Sequence, residues 1–494
     1  MKKSLLFCAL VLPLALNAQT DTTQHTTTYF AEAGGMAATN SRTPFWLRAN
    51  QFGTVPLENP FAFVRLGGQT ILGTDPRKPQ LHLQGELVAN AGKTSNVLLP
   101  AAAATLRFRK FEIYAGRRKE FFGLGDTLLT SGSYAWSGNA LPLPKVQIGT
   151  RGFVPIGFTK GLFAVHAMMA HGWFINADSV RGSYLHQKAV FVRLGKPTWK
   201  VHFYAGVHHL AQWGGQWRNP VKGSRLTMEN GKLPSDFATF LSIFTASEPS
   251  NTSSVSIQDA LNRTGNHLGT IDFAMNYSTN RSEWLFYHQH PFDDKSGVFF
   301  VNFPDGLYGI RWKNKAYSQN SFQIKQVTVE LLSTMSQSGF TLNINKRRFE
   351  GGDDYFVNYQ YQEGWTYQKR VIGTSFITMR EDAQTKWYNV KGGTLQKANI
   401  SNNRVQVLHF GLMGQLHPSL QFRMLASQSW NHGRPILTDP AFPMSQFSGL
   451  LELSKTTTAL GGVQLQAAVA VDQGPWLPAT VGLRLGIRKT GFSF

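Results

Sequence analysis

The sequence predicts an all-β fold: a large antiparallel barrel of about 16–20 strands that crosses a membrane. Three observations carry this expectation. The chain opens with an export leader, its longest patterned segments alternate with period 2, and its last strand runs into terminal aromatics.

The first eighteen residues, MKKSLLFCALVLPLALNA, have the parts of a secretory signal. Lys2 and Lys3 form the positive region, Leu5 to Leu16 an apolar run too short to span a bilayer, and Ala18 the small residue before a cut. Residues 1–18 are therefore the expected signal peptide and 19–494 the exported barrel. Cys8, the only cysteine, lies inside the apolar run. A lipoprotein anchor would need it directly after, and the mature chain is left without disulfide or thiolate chemistry.

No run between the ends approaches eighteen apolar residues, and the mean hydropathy is −0.21. A transmembrane helix is not predicted. An exported chain with 47 glycines and 13% aromatic residues suits a barrel. Its turns use glycine, its interfaces carry aromatic girdles, and closure satisfies every backbone polar group.

The strands can be read directly. Trp199, Val201, Phe203, Ala205 and Val207 share one face of WKVHFYAGVH, opposite Lys200, His202, Tyr204 and His208. Leu81, Leu83, Leu87 and Ala89 oppose His82, Gln84 and Glu86, and Val463, Leu465, Ala467, Val469 and Val471 share one parity. Weaker candidates are QVTVELL (326–332) and QFRMLAS (421–427). The closing VGLRLGIRKTGFSF places Val481, Leu483, Leu485 and Ile487 on one face, with Phe492 and Phe494 on the other. A bulge at Gly491 accounts for that slip. A terminal aromatic on an alternating strand resembles the signal read by the barrel assembly machinery, a predicted partner.

One region departs from this period. Phe237, Phe240, Leu241 and Phe244 fall at helical spacing after a cap at Ser235 or Asp236, and Ser256 and Asp259 are spaced as a capping box. The pair defines a small helical insertion at about 235–263, expected at the periplasmic end of the barrel or in its mouth. The alternative is a long extracellular loop.

No enzymatic constellation is visible. There is no G-x-S-x-G elbow, P-loop or H-E-x-x-H, and nothing near Ser131, Ser133 or Ser137 marks a base. His288 and His290 share a strand face and read as polar lumen lining rather than a metal site. Asp293 and Asp294, adjacent on a strand, would point apart. The expectation is a protein without catalytic residues, metal or cofactor.

The formal charge is +21, and cleavage after Ala18 removes Lys2 and Lys3 to leave +19. Export disfavours nucleic acid as the partner. Lipopolysaccharide head groups and an acidic polysaccharide remain, the latter through bidentate arginine and aromatic stacking. The stretch 116–144, GRRKEFFGLGDTLLTSGSYAWSGNALPLP, has that mixture. Its candidate sugar contacts are Arg117, Arg118, Lys119, Tyr134, Trp136 and Asn139. It reads as a strand that leaves the membrane into a glycine-hinged loop, folds over or into the barrel, and is closed by Pro142 and Pro144.

Several stretches in order along the chain resemble the capsule assembly Wzi family of outer-membrane proteins. They are TPFWLRANQFG, GRRKEFFGLGD, SGNALPLPKVQIG, GVHHLAQWGG, GNHLGTIDF, HQHPFDDKSG, FPDGLYGIRW, GDDYFVNYQYQEGWTYQKRVIG and SNNRVQVLHFGLMG. The resemblance implies an outer-membrane barrel of eighteen strands with a small periplasmic helical part. It also implies a lectin that helps fix capsular polysaccharide to the cell surface without catalysing a reaction. The alternative is a porin-like channel with anion preference.

Overall fold

The computed structural model describes residues 26–73, 75, 77–175, 179–219, 230–247, 263–316, 322–339, 352–384, 399–434 and 443–491. The expected signal peptide, Phe492, Phe494 and the capping-box segment at Ser256 lie outside them.

Alternation builds one continuous antiparallel sheet. Its strands are β1 (Thr26–Ala38), β2 (Phe61–Leu72), β3 (Gln80–Gly92), β4 (Asn96–Phe108), β5 (Phe111–Arg117) and β6 (Lys145–Thr150). Then come β7 (Phe163–Trp173), β8 (Tyr184–Leu194), β9 (Val201–Trp213), β10 (Asn266–Ser278), β11 (Ser282–Phe292) and β12 (Gly306–Asn314). The circuit ends with β13 (Gln323–Ser333), β14 (Val405–His417), β15 (Leu420–Asn431), β16 (Met444–Thr457), β17 (Val463–Gln473) and β18 (Thr480–Thr490). Val154–Pro155 pairs with β7 beside β6 and continues that interrupted strand, so the sheet has eighteen staves. It closes where β1 pairs with β18, from Phe30 opposite Thr490 to Ala38 opposite Gly482. Closure leaves no sheet edge to be satisfied by lipid. Gly491, at φ +77°, steps out of the last strand and donates its N–H to the Tyr29 carbonyl.

The faces divide as period 2 requires. Val481, Leu483, Leu485 and Ile487 point outward and are 42–53% exposed. Phe203, Val207, Leu465 and Val469 are exposed in the same sense, and QVTVELL and QFRMLAS lie within β13 and β15. Among the described residues no helix could cross a membrane; the strands do so.

Both described chain ends lie at the end of the short turns, which is the periplasmic side in barrels of this kind. The long connections gather at the opposite rim. They carry α1 (Phe45–Arg48), α2 (Phe237–Thr245) and α3 (Lys295–Val298). The Asp236 carboxylate caps α2 by accepting from the Thr239 N–H at 2.8 Å. The sequence reading put this insertion at the periplasmic end or in the mouth. The structure seats α2 on the outer wall below the long-loop rim, where Phe240 and Ile243 pack on Trp213, whose side chain points out of the barrel.

His288 and His290 also correct the reading. Their strand partners Tyr308 and Ile271 share the outward parity of Phe286 and Ile310, so both face away from the lumen. Two histidines on one face satisfy either side equally well, and only the register decides.

These faces differ in their tolerance of charge. Leu485→Lys, on the lipid face at mid-strand, is expected to cost roughly 2–4 kcal/mol. Gln466→Glu, on the lumen face beside it, should cost under about 0.5 kcal/mol. Urea unfolding in detergent-lipid micelles, followed by heat-dependent gel migration, checks the contrast.

Candidate functional site

The lumen is filled. β5 ends at Arg117 opposite Ala102, partway along β4, and the chain turns inward there rather than continuing up the wall. Residues 118–144 cross the interior and return at Lys145. The Lys145 side chain is 1% exposed; its Nζ lies 2.8 Å from Glu120 Oε2 and 2.7 Å from Gln187 Oε1. That ion pair ties the first turn of the loop to the strand residue at which the chain rejoins the wall. The ammonium also lies over Phe122 and Trp136, 5.0 and 4.9 Å from the ring centroids.

Carboxylates pin the loop along its length. Asp126 accepts from the Leu129 N–H at 2.8 Å, from Gln326 Nε2 at 2.9 and 3.0 Å and from Thr328 Oγ1 at 2.9 Å. Glu330, on the same strand, accepts from Thr130 Oγ1 at 2.7 Å, the Ser131 N–H at 2.6 Å and the Tyr287 hydroxyl. Asp272 accepts from the Leu124 N–H at 2.7 Å, and Gln289 Oε1 from the Tyr134 N–H at 2.9 Å. The wall accommodates this approach through Gly411, where an added Cβ would lie 2.6 Å from Leu129 Cβ.

The connection between β13 and β14 covers the loop from above. The Thr374 N–H donates to the Tyr134 carbonyl at 2.9 Å, Asn139 Nδ2 to the Val371 carbonyl at 3.0 Å and Ser137 Oγ to the Gly373 carbonyl at 2.6 Å. Tyr134 stacks on Phe356 with centroids 5.3 Å apart. Tyr134, Trp136 and Asn139 are 0%, 5% and 6% exposed, so the loop's flat rings are core of the plug and out of reach of a glycan in this arrangement. Two small cavities lie among the described residues, of about 40 Å³ beside Arg48 and Asp382 and about 60 Å³ beside Trp46. A small-molecule pocket spans roughly 300–1,000 Å³.

The predicted cations are engaged internally. Arg118 pairs with Glu112 and Glu120, both at 2.7 Å, with its guanidinium 4.0 Å from the Tyr114 ring centroid. Lys119 Nζ lies 2.6 Å from Glu86, which continues through Arg65 to Glu32 and from there to Arg484 and Arg488. Arg117, half-buried, donates to the Tyr367 hydroxyl at 3.1 Å. The sequence offered these bases as ligand contacts; Glu86 and Tyr367, which meet Lys119 and Arg117, come from segments distant in the chain, whereas Arg118 is met by its near neighbours Glu112 and Glu120. The anchors Asp126 and Glu330 were within reach of sequence reasoning only as acids inside GLGD and QVTVELL.

At the rim, a different group of bases remains exposed. The short ribbon of Val180–Arg181 and Gln216–Trp217 bridges to Lys232, and Val180, Trp217, Leu233 and Tyr361 pack beneath it. Tyr361 donates its hydroxyl to the Gly214 carbonyl at 3.1 Å, and Gln368 Nε2 donates to the Ile175 carbonyl at 3.0 Å. Arg181, Arg218, Lys232 and Lys369 are exposed over this support, and Tyr359 is 61% exposed.

A carboxylate cluster joins α3 to the loop at 352–361. Ser338 Oγ donates to Asp353 at 2.7 Å, and Ser296 bonds Asp294 on one side and Ser338 on the other. Burial and the nearby Asp294 push the Asp353 carboxyl up to about 7. Burial and the charges of Asp353, Asp294 and Asp354 push Asp293 well up, and burial also raises Asp305.

Two outcomes follow from these contacts. Asp126→Ala with Glu330→Ala leaves buried donors unpaired, at about 1–3 kcal/mol each. The double variant should show channel openings in planar bilayers that the parent lacks. For Asp353, the raised value means that its stabilising contribution is complete below the ordinary carboxylate range and is lost as pH rises through about 7. Hydrogen exchange at 352–361, corrected for intrinsic rates, should accelerate between about pH 4 and pH 7 and level off above, and Asp353→Asn should flatten that rise.

The chain matches no family model and no curated protein. Its fold does match solved barrels. It is similar to Wzi, an outer-membrane protein involved in group 1 capsule assembly in Escherichia coli and a carbohydrate-binding β-barrel. The TM-score is 0.56 at 13% identity, over 94% of this chain and 85% of that one. Pseudomonas aeruginosa OccK5 gives a TM-score of 0.46 at 8% identity, covering 94% and 97%. OccK2 of the same organism, solved with glucuronate, gives 0.38 at 9%, also covering 94% and 97%. The chain thus has a Wzi-like fold, a closed antiparallel β-barrel of eighteen strands.

Proposed function

We propose that this protein is a non-enzymatic, surface-exposed binder of polysaccharide that helps retain capsule at the cell. The observation that carries the reading is the filled lumen. A diffusion channel needs an aqueous path, whereas a binder needs only a stable platform, and the plug supplies the second at the expense of the first. The fold likeness to a carbohydrate-binding barrel supports the same choice.

The glycan meets the rim rather than the lumen. Arg181, Arg218, Lys232 and Lys369 offer donors to carboxylates, and Tyr359 offers a ring face to a sugar. Such a surface suits an acidic polymer. Arg117 lies beside this region through Tyr367, whereas Arg118 and Lys119 act as struts of the plug.

The test compares polysaccharide retained on cells with that shed into the medium, in a deletion strain complemented with parent or variant. Arg181→Glu with Lys232→Glu should shift polymer from bound to shed at unchanged total and unchanged barrel assembly. A complemented parent that leaves the ratio unaltered, in a strain that makes capsule, would remove the anchoring role. Large steady conductance steps from the parent would favour the porin-like reading instead.

A further inference from the structure

The upper outer wall of β7–β11 is polar where a barrel wall should be apolar. His171, His186, Lys188, His209 and His267 share strand faces with lipid-exposed residues. Lys188 is paired with Met169 and His209, and His209 is two residues beyond Val207 on the same face. Met169, Val190 and Val207 are 42%, 51% and 43% exposed. Imidazole and ammonium groups facing acyl chains would be costly.

Two segments cover them. α2 lays Phe240 and Phe244 against His186, with centroids 5.7 and 5.6 Å apart, and Lys188 Nζ donates to the Phe244 carbonyl. Ile243 is fully buried against Ala211 and Trp213. Beneath this cover His209 Nε2 meets His267 Nδ1 at 2.9 Å, and His267 Nε2 meets the Thr264 carbonyl at 2.9 Å. Further round, Phe300 stacks on His290 with centroids 4.2 Å apart.

The far side of the cover is apolar and exposed. Phe237, Leu241 and Phe244 are 72%, 46% and 38% exposed, and Phe299 and Phe303 are each 61% exposed. α2, FATFLSIFT, contains no charged residue. A helix standing in water would carry a polar face there. The exposed surface is also continuous with the lipid-facing band. Phe300 lies 6.5 Å, ring to ring, from Phe273, which is 44% exposed on the lipid face of β10.

We infer that α2 and the Phe299–Phe303 turn lie in the outer leaflet, with Phe237, Leu241, Phe299 and Phe303 contacting lipid acyl chains. They form a second apolar skin over a polar stretch of barrel wall. Their occupant is the hydrocarbon of the membrane, not a partner protein. This inference stands apart from the polysaccharide reading and survives if that reading fails.

Spin labels test it. In a Cys8→Ser background, single labels at Phe237→Cys, Leu241→Cys and Phe299→Cys are compared with Tyr359→Cys on the rim. The protein is reconstituted in phosphatidylcholine vesicles, and only variants with heat-modifiable barrel migration are measured. The ratio of oxygen to nickel-chelate collision should be severalfold higher at the three sites than at the rim. A label at Ile243→Cys should be shielded from both reagents. Nickel access at Phe237 and Leu241 equal to that at Tyr359, or free access at Ile243, would overturn the inference.

Discussion

The loop from 118 to 144 is held inside the barrel by buried carboxylates, and most of the interior depends on that attachment. Asp126 and Glu330 stand on one side and the Glu120–Lys145 pair closes the other. A loop of this length loses much conformational entropy on ordering. Charge-assisted bonds to backbone N–H groups offset part of that loss, and inward wall residues such as Leu210, Leu268, Leu332 and Leu425 share one buried apolar cluster with the loop. Once fixed, the loop presents Leu129, Tyr134 and Trp136 as a hydrophobic nucleus for the 352–384 segment to pack upon. The plug is therefore a folded core continuous with apolar residues of the inner wall.

The same logic explains where much of the positive charge resides. Arg65, Arg118, Lys119, Arg484 and Arg488 are matched by Glu32, Glu86, Glu112 and Glu120 on the inner wall and in the first turn of the loop. Paired in this way, they stiffen the lumen and contribute little field outside. The exposed bases of the rim differ in kind because they stand at the surface over apolar support. A single net charge thus conceals two populations with separate physical roles.

The outer wall carries a related division. Histidines in outward positions would disrupt an apolar band, yet hydrogen-bonded to one another and shielded by α2 they become a second interior. The barrel has a polar layer on each side of part of its sheet. What is usually the simplest surface of such a protein is, over β7–β11, a packed interface.

By itself the sequence determined the sheet. Alternation in 199–208, 463–471 and 481–487 assigns faces because lipid accepts only one parity, and a chain without a spanning helix must close its sheet. The helical spacing of Phe237, Phe240, Leu241 and Phe244 was equally local. Tertiary structure alone decided what the functional stretch does. Lys119 is an ordinary base until a strand 33 residues away brings Glu86 opposite, and Trp136 is a sugar platform or a core residue according to which way its loop turns. Register likewise sent His288 and His290 outward. Period 2 specifies that two faces exist and which residues share one. Which face is inside, and what fills the space within, is set by contacts between segments that no local pattern records.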